Sequence, residues 1–202
     1  MPNWCYNNAV ISGNDLTKFR EFLGDGTGLL KKIAPTPQTL VDTVAGFSAD
    51  PVEQKKRQEQ EEINLMQHGA KNWYDWNVQN WGTKWDVDVE IDDISSSDEE
   101  IMFSFDSAWA PPINAFIELG NLFPELSIRM NYREDGMGFA GVLTVEGTEV
   151  NDDYYDTNND KEAYRDFVMA EWGDDPFENE FDEDEECEED EETQGSDQMK
   201  IG

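Results

Sequence analysis

Asp86, Asp88, Glu90 and Asp92 occupy alternate positions of a segment whose other positions are Trp85, Val87, Val89 and Ile91. On an extended chain that spacing sets four carboxylates on one face, about 6.7 Å apart. Their chemistry is electrostatic. A DNA strand carries one phosphate per about 3.4 Å of axis, so this stripe has roughly half that charge density, and neighbouring acids could supply the rest. Such an array fits the phosphate groove of a nuclease, repressor or polymerase. Its plainer role is a solvated strand face that keeps the sheet soluble. A denser array ends the chain: residues 151–202 hold 22 Asp or Glu against Lys161, Arg165 and Lys200, a net −19 out of −33. Within it Asp182, Glu183, Asp184, Glu185, Glu186, Glu188, Glu189 and Asp190 are interrupted only by Cys187. A run of this kind repels itself and buries too little apolar surface to offset its entropy, so it is expected to be disordered. Direct nucleic-acid binding is disfavoured, because a polyanion is repelled by every phosphate. The partners implied are cationic.

Trp73, Trp76, Trp81, Trp85 and Trp109 resemble in composition a base-stacking platform. Their neighbours are Asp75, Asp86 and Asp88 rather than Lys and Arg, so the plainer reading is packing of these rings against a sheet. Trp81, Trp85 and Trp109 join the acidic stripe as candidate partner-binding residues. Asp152, Asp153, Asp156, Asn158, Asn159 and Asp160 are oxygen donors, but the Gly and terminal Glu of a calcium loop are missing, so no metal site is expected. His68 is the sole histidine and stands beside Gly69, at a helix end; Cys5 has no base partner. No phosphate loop, nucleophile elbow or zinc spacing is present, so no catalysis and no cofactor are expected. Lys55-Lys56-Arg57 pairs either with the acidic tail or, more simply, with Glu53, Glu59 and Glu61 along a helix.

The elements that must position these residues are legible in outline. Trp4–Ile11 reads as a strand. Leu16, Phe19, Phe22 and Leu23 recur at helical spacing and stop at Gly24. Residues 24–50, rich in Gly, Pro and Thr, predict little regular structure. Asp50-Pro51 opens a helix to about Gln67, polar in its first half, with apolar contact left to Ile63, Leu65 and Met66. Lys84–Asp93 and Ile101–Phe105 alternate as two strands of a hairpin. Pro111-Pro112 opens an amphipathic helix (Ile113, Phe116, Ile117, Leu119, Leu122), and strands carrying Leu126–Tyr132 and Phe139–Val145 follow. The order is that of an α+β, ferredoxin-like (split βαβ) antiparallel sheet with a long helical insertion at about 24–80. The ferredoxin-like domain spans 1–146, a linker and amphipathic helix 147–172, and the acidic tail 173–202. Whether the helix Lys161–Trp172 docks back is left open. Two cysteines give no disulfide framework, the N-terminus has no leader-like segment and no apolar run is long enough for a membrane, which together imply a cytoplasmic protein.

Met1-Pro2-Asn3-Trp4-Cys5-Tyr6-Asn7, Asn80-Trp81-Gly82-Thr83-Lys84-Trp85-Asp86, Ala108-Trp109-Ala110-Pro111-Pro112 and Phe123-Pro124 with Tyr132-Arg133-Glu134 stand in order along the chain. In these motifs the chain resembles the YubB-type ferredoxin-like domain of phage and plasmid proteins over about residues 1–146. The resemblance implies a phage or plasmid origin, a bacterial host cell and the ferredoxin-like fold, and no reaction. Taken with the charge, the expected function is non-enzymatic: binding and inhibiting a basic, nucleic-acid-binding host or anti-phage defence protein by DNA-mimic-like electrostatics. The alternatives are a structural or self-associating phage protein with a solubilising tail, using a sheet edge or the Trp cluster, and, last, single-stranded nucleic-acid binding.

Overall fold

Period-two alternation builds the centre of the molecule. In β1 (Trp4–Ser12) the positions of Cys5, Asn7, Ala9 and Ile11 are buried, while the intervening residues turn to the opposite face. The computed structural model of the chain describes residues 3–92 and 96–178. After β1 come α1 (Thr17–Leu23), the short helices α2 (Leu29–Ile33) and α3 (Gln38–Val41), then α4 (Pro51–His68) and α5 (Trp73–Trp81). The remainder is β2 (Glu90–Ile91), β3 (Glu100–Ala108), α6 (Ile113–Leu122), β4 (Ser127–Glu134), β5 (Phe139–Glu146), β6 (Glu149–Asp156) and α7 (Lys161–Trp172). The strands form one antiparallel sheet in the order β2-β3-β1-β4-β5-β6. Its first four strands have the split βαβ arrangement, and β5 and β6 extend it as a meander.

One sheet face carries the main core, where α1, α2 and α6 deliver Phe19, Leu23, Leu29, Leu30, Phe116 and Leu119 onto Ile11, Phe103, Ile128 and Leu143. Phe105 and Phe116 stack at 5.6 Å. The other face is covered over β4–β6 by α7, whose Tyr164 and Val168 pack on Ala140 while Phe167 stacks on Tyr155 at 4.8 Å. The question left open by the sequence is thereby answered: 161–172 docks. Its anchoring runs past the helix, because Asp174 pairs with Arg133, Asp175 with Arg165, and Phe177 lies beside Tyr164. Residues 173–178 are therefore packed structure rather than the start of a tail. Residues 182–190 lie outside the described residues.

Three further expectations need correction. Residues 24–50 are not irregular throughout, since α2 and α3 form there on tertiary support. Ile63, Leu65 and Met66 do not anchor α4: all three are exposed, and the buried residue is Asn64, which donates to Lys71 O at 2.7 Å and accepts from Gln60 at 2.9 Å. The strand expected over 84–93 is paired only at Glu90 and Ile91. Its earlier part bonds elsewhere, with Leu29 N donating to Val87 O and Val89 N to Gly26 O. In α4, Lys55–Glu59 and Arg57–Glu53 are i,i+4 pairs, the simpler of the two arrangements for the basic cluster.

Most of the sequence motifs are structural in this fold. Asn7 is buried and its amide donates to Cys5 O, Phe105 O and Ser107 Oγ, tying β1 to β3. Gly82, at φ 91°, ends α5 where a Cβ would lie 3.1 Å from both Pro111 O and Ile113 N. Glu134 is buried and caps the β4–β5 turn, accepting from Gly136 N and Met137 N. Cys5 is buried, which pushes its thiol up to about 12 and leaves it protonated at neutral pH.

Candidate functional site

Two of the four stripe carboxylates have structural work. Asp86 accepts from Leu30 N (2.9 Å), Lys31 N (3.3 Å) and its neighbour Val87 N (3.0 Å), and its side chain is 15% exposed. Asp88 accepts from Gly28 N at 2.8 Å. Together they satisfy the orphan N–H groups at the start of α2, whose own N-cap residue, Gly28, has no side chain to do so. Asp92 continues the β2–β3 pairing through its N–H to Met102 O. The expected stripe of four outward carboxylates is thus divided, because backbone N–H groups draw Asp86 and Asp88 aside.

The division opens a groove. Continuing the register beyond Glu90↔Ser104 would set Asp88 opposite Asp106. Like charges directly opposite one another on a sheet are destabilising, and here the two strands part instead. Between them lies a concavity of about 570 Å³ on the half of the face that α7 leaves open. Asp86, Asp88, Glu90 and Asp106 line it. Burial, and secondarily the charge of Glu90, raise the Asp106 carboxyl above its ordinary value. Trp4, Tyr6 and Trp172 supply rings.

The one cation among the lining residues is already engaged. Arg133 lies with its guanidinium carbon 5.8 Å from the Tyr6 ring centre and 5.3 Å from that of Trp172. Its Nη1 donates to both Asp174 oxygens at 3.0 and 2.9 Å. Beside the groove, Trp4 and Trp85 meet at 6.1 Å, and Lys84 Nζ stands 4.6 Å from the Trp85 ring centre. Flat rings and carboxylates therefore already hold two of the protein's own cations, and the arrangement can hold others by ion pairing and cation–π attraction.

The expected ring residues separate into two kinds. Trp85 is partly exposed and stands beside the groove. Trp81 does not: it is 1% exposed, donates from Nε1 to Ala34 O at 2.8 Å and meets Trp76 edge to face, so it belongs to the core. Trp109 is exposed, at a φ of 73° that is costly for a bulky residue, and its N–H bonds Asn3 O. The groove residues that the sequence reading missed are Asp106, Trp4, Tyr6, Arg133 and Trp172. For Asp106 a signal existed, since it is in the polar phase of the Ile101–Phe105 alternation. The other four meet it only through strand order and α7 docking.

Three of the four acids at 152–160 are engaged in structure. Asp152 accepts from Tyr132 Oη, Asp156 from Asn158 N and Asn159 N, and Asp160 caps α7 through Ala163 N. His68 Nε2 lies 2.8 Å from Thr39 Oγ1. No helix of the described residues is long and apolar enough to cross a membrane.

The carboxyls of Asp156, in the turn that leads into α7, and Asp175, just after the helix, are both held below their ordinary value of 3.8. For Asp156 the cause is first the backbone N–H of Asn159, for Asp175 first the Arg165 guanidinium. A depressed carboxyl contributes stability that is present above its unfolded value and lost as pH falls through the folded one. We therefore expect α7 to stay docked from neutral pH down to the ordinary carboxylate range and to loosen only below it. Amide exchange of α7 together with Trp172 fluorescence checks this; loosening between neutrality and about pH 5, above the usual carboxylate range, would contradict it.

A search of curated proteins finds no match. The crystal structure of a protein Api92 from Yersinia pseudotuberculosis aligns over 77% of this chain and 98% of its own, with 12% identity and a TM-score of 0.47. The family described as the ferredoxin-like domain in Api92-like protein matches residues 80–199, a span that takes in both groove strands β2 and β3, the meander, α7 and the acidic C-terminal segment. With more than half of its length matched and a ferredoxin-like sheet as its frame, the chain belongs to the family of Api92-like proteins.

Proposed function

We propose that this chain is a non-enzymatic recognition protein that binds a basic partner through the groove on its open sheet face. The observation that supports this is the grouping of the Glu90 and Asp106 carboxylates with the rings of Trp4, Tyr6 and Trp172 in one groove whose single cation, Arg133, is already paired with Asp174. Such a surface attracts Lys- and Arg-bearing segments and repels phosphates. The net charge of −33 gives the whole protein a long-range field of the same sign, raising the on-rate for cationic partners.

The four motifs shared with the YubB-type phage and plasmid domains support a mobile-element origin, with action in the bacterial cytoplasm. In that setting the partner we favour is a nucleic-acid-binding host or defence protein, held by the acidic array in place of nucleic acid. The division of the stripe changes the form of this mimicry. Glu90 and Asp106 act as a focused pair beside rings, with the acidic segment 182–190 as a second contact, rather than as an evenly spaced row of phosphate surrogates.

The test is titration of the full chain with an arginine-rich peptide, read by Trp fluorescence from about 0.05 M to about 0.5 M salt, a range over which screening shortens from beyond 10 Å to a few Å. Affinity is expected to fall steeply with salt, and the chain is expected to give no gel shift with DNA or RNA. Salt-independent binding would sink the electrostatic reading, and a nucleic-acid gel shift would favour a stacking role for the rings.

A further inference from the structure

The two edges of the sheet are built differently. The β2 edge is two residues long, and the chain just before it, 86–89, is bonded to residues 26–29. The β6 edge is a regular strand of eight residues paired to β5 along its whole length, with no strand beyond it among the described residues. Its phase follows from its two ends. Gly147, at φ 59°, and Thr148 close a two-residue turn between Glu146 and Glu149, and at the far end Thr157 N donates to Gly138 O. Antiparallel alternation then points the backbone groups of Glu149, Asn151, Asp153 and Tyr155 toward β5, and those of Val150, Asp152 and Tyr154 outward. No hydrogen bond among the described residues reaches these outward N–H and C=O groups.

Such an edge templates another strand unless something prevents it. The edge has no proline and no lysine; what it has is negative charge. A second copy pairing antiparallel about Asp152 would set that carboxylate against its own counterpart, a destabilising arrangement of like charges, with Asp153 of each copy close by. The same carboxylates, with Glu149, favour a strand that brings Lys or Arg. Val150 and Tyr154, 46% and 55% exposed, add apolar contact for the residues between.

We propose that the β6 edge is a docking site for an extended, Lys- or Arg-bearing segment of a partner protein, which adds to the sheet as a seventh strand. Backbone hydrogen bonds to Val150, Asp152 and Tyr154 supply the pairing, and Glu149, Asp152 and Asp153 select a basic strand over an acidic one or a second copy. The site lies at the opposite end of the sheet from the groove and does not depend on it.

The experiment uses the full chain, isotope-labelled, with two peptides of alternating lysine and valine that differ only in N-methylation of alternate backbone amides. The unmodified peptide is expected to slow amide exchange at Val150, Asp152 and Tyr154. The methylated peptide keeps the charge but cannot pair, and it is expected to bind at least about tenfold more weakly, the worth of one or two net hydrogen bonds. Val150→Pro removes one outward N–H and leaves the β5 ladder whole, so it is expected to weaken the unmodified peptide while the melting temperature holds. Equal binding of both peptides, protection at the groove alone, no binding at all, or protection of β6 in a peptide-free dimer would each overturn the proposal. Shifts of Tyr6, Glu90 and Asp106 in the same spectra report the groove separately, so failure of one site is distinguishable from failure of the other.

Discussion

Replacing Trp81 with alanine is expected to lower stability by about 3–5 kcal/mol, the usual cost of removing a large buried ring. The ring is 1% exposed, meets Trp76 edge to face at 6.0 Å, and its N–H is the partner of Ala34 O at 2.8 Å. Truncation therefore leaves both a cavity and an unpaired carbonyl. Against a typical total of about 5–15 kcal/mol, a loss of this size puts the chain at the edge of folding at ordinary temperatures. Trp85→Ala provides the contrast, because that ring is partly exposed and borders the groove. It is expected to shift the urea midpoint little while weakening a basic ligand. A Trp81→Ala variant with an unchanged midpoint would show that the insertion does not depend on this contact.

The largest effect on binding is expected from Glu90→Gln combined with Asp106→Asn. Close charge pairs across interfaces contribute about 1.5 kcal/mol or more each, so the double substitution should weaken an arginine-rich ligand by about a hundredfold at low salt. The same change should leave the fold as stable as before or slightly more so, since it removes the burial cost of the Asp106 charge and, secondarily, its repulsion with Glu90. This opposition of sign separates a binding role from a structural one. Asp86→Asn is expected to do the reverse, harming stability through the start of α2. If isothermal titration shows less than a fivefold loss for the double variant, roughly 1 kcal/mol, the groove is not the principal cationic site.

Much of the frame is readable from pattern alone. β1, β3, α6, β4 and β5 follow from alternation and from helical spacing bounded by Pro and Gly, and α4 begins and ends where Asp50, Pro51 and Gly69 place it. The misreadings share a cause: contacts distant in sequence override local signal. α2 is five residues long and receives its N-terminal acceptors from Asp86 and Asp88, far along the chain. That same diversion leaves a strand with clear alternation, 84–93, largely unpaired. β6 looks like linker because its acids outnumber its apolar residues, yet the turn at Gly147-Thr148 folds it onto β5. Glu90 in the groove and Trp85 beside it are legible as an outward acid and a ring. Tyr6, Asp106 and Trp172 come from three separate elements, and only the order β3-β1-β4 with α7 behind it brings them together.

The strand order also bears on how the chain reaches its native state. β1 is near the centre of the sheet, and Ala9 pairs with Phe103 on one side and Met130 on the other. Both partners lie roughly a hundred residues away, so forming either ladder closes a long loop before any reward is collected. The meander β4–β5–β6 closes through short turns, and α7 docks onto strands just made. During synthesis β1 has no partner until β3 follows, about a hundred residues later, and its second neighbour, β4, comes later still. Five of the nine residues of β1, Cys5, Asn7, Asn8, Ala9 and Ser12, are polar or small, which suits a strand that must wait in solvent without aggregating.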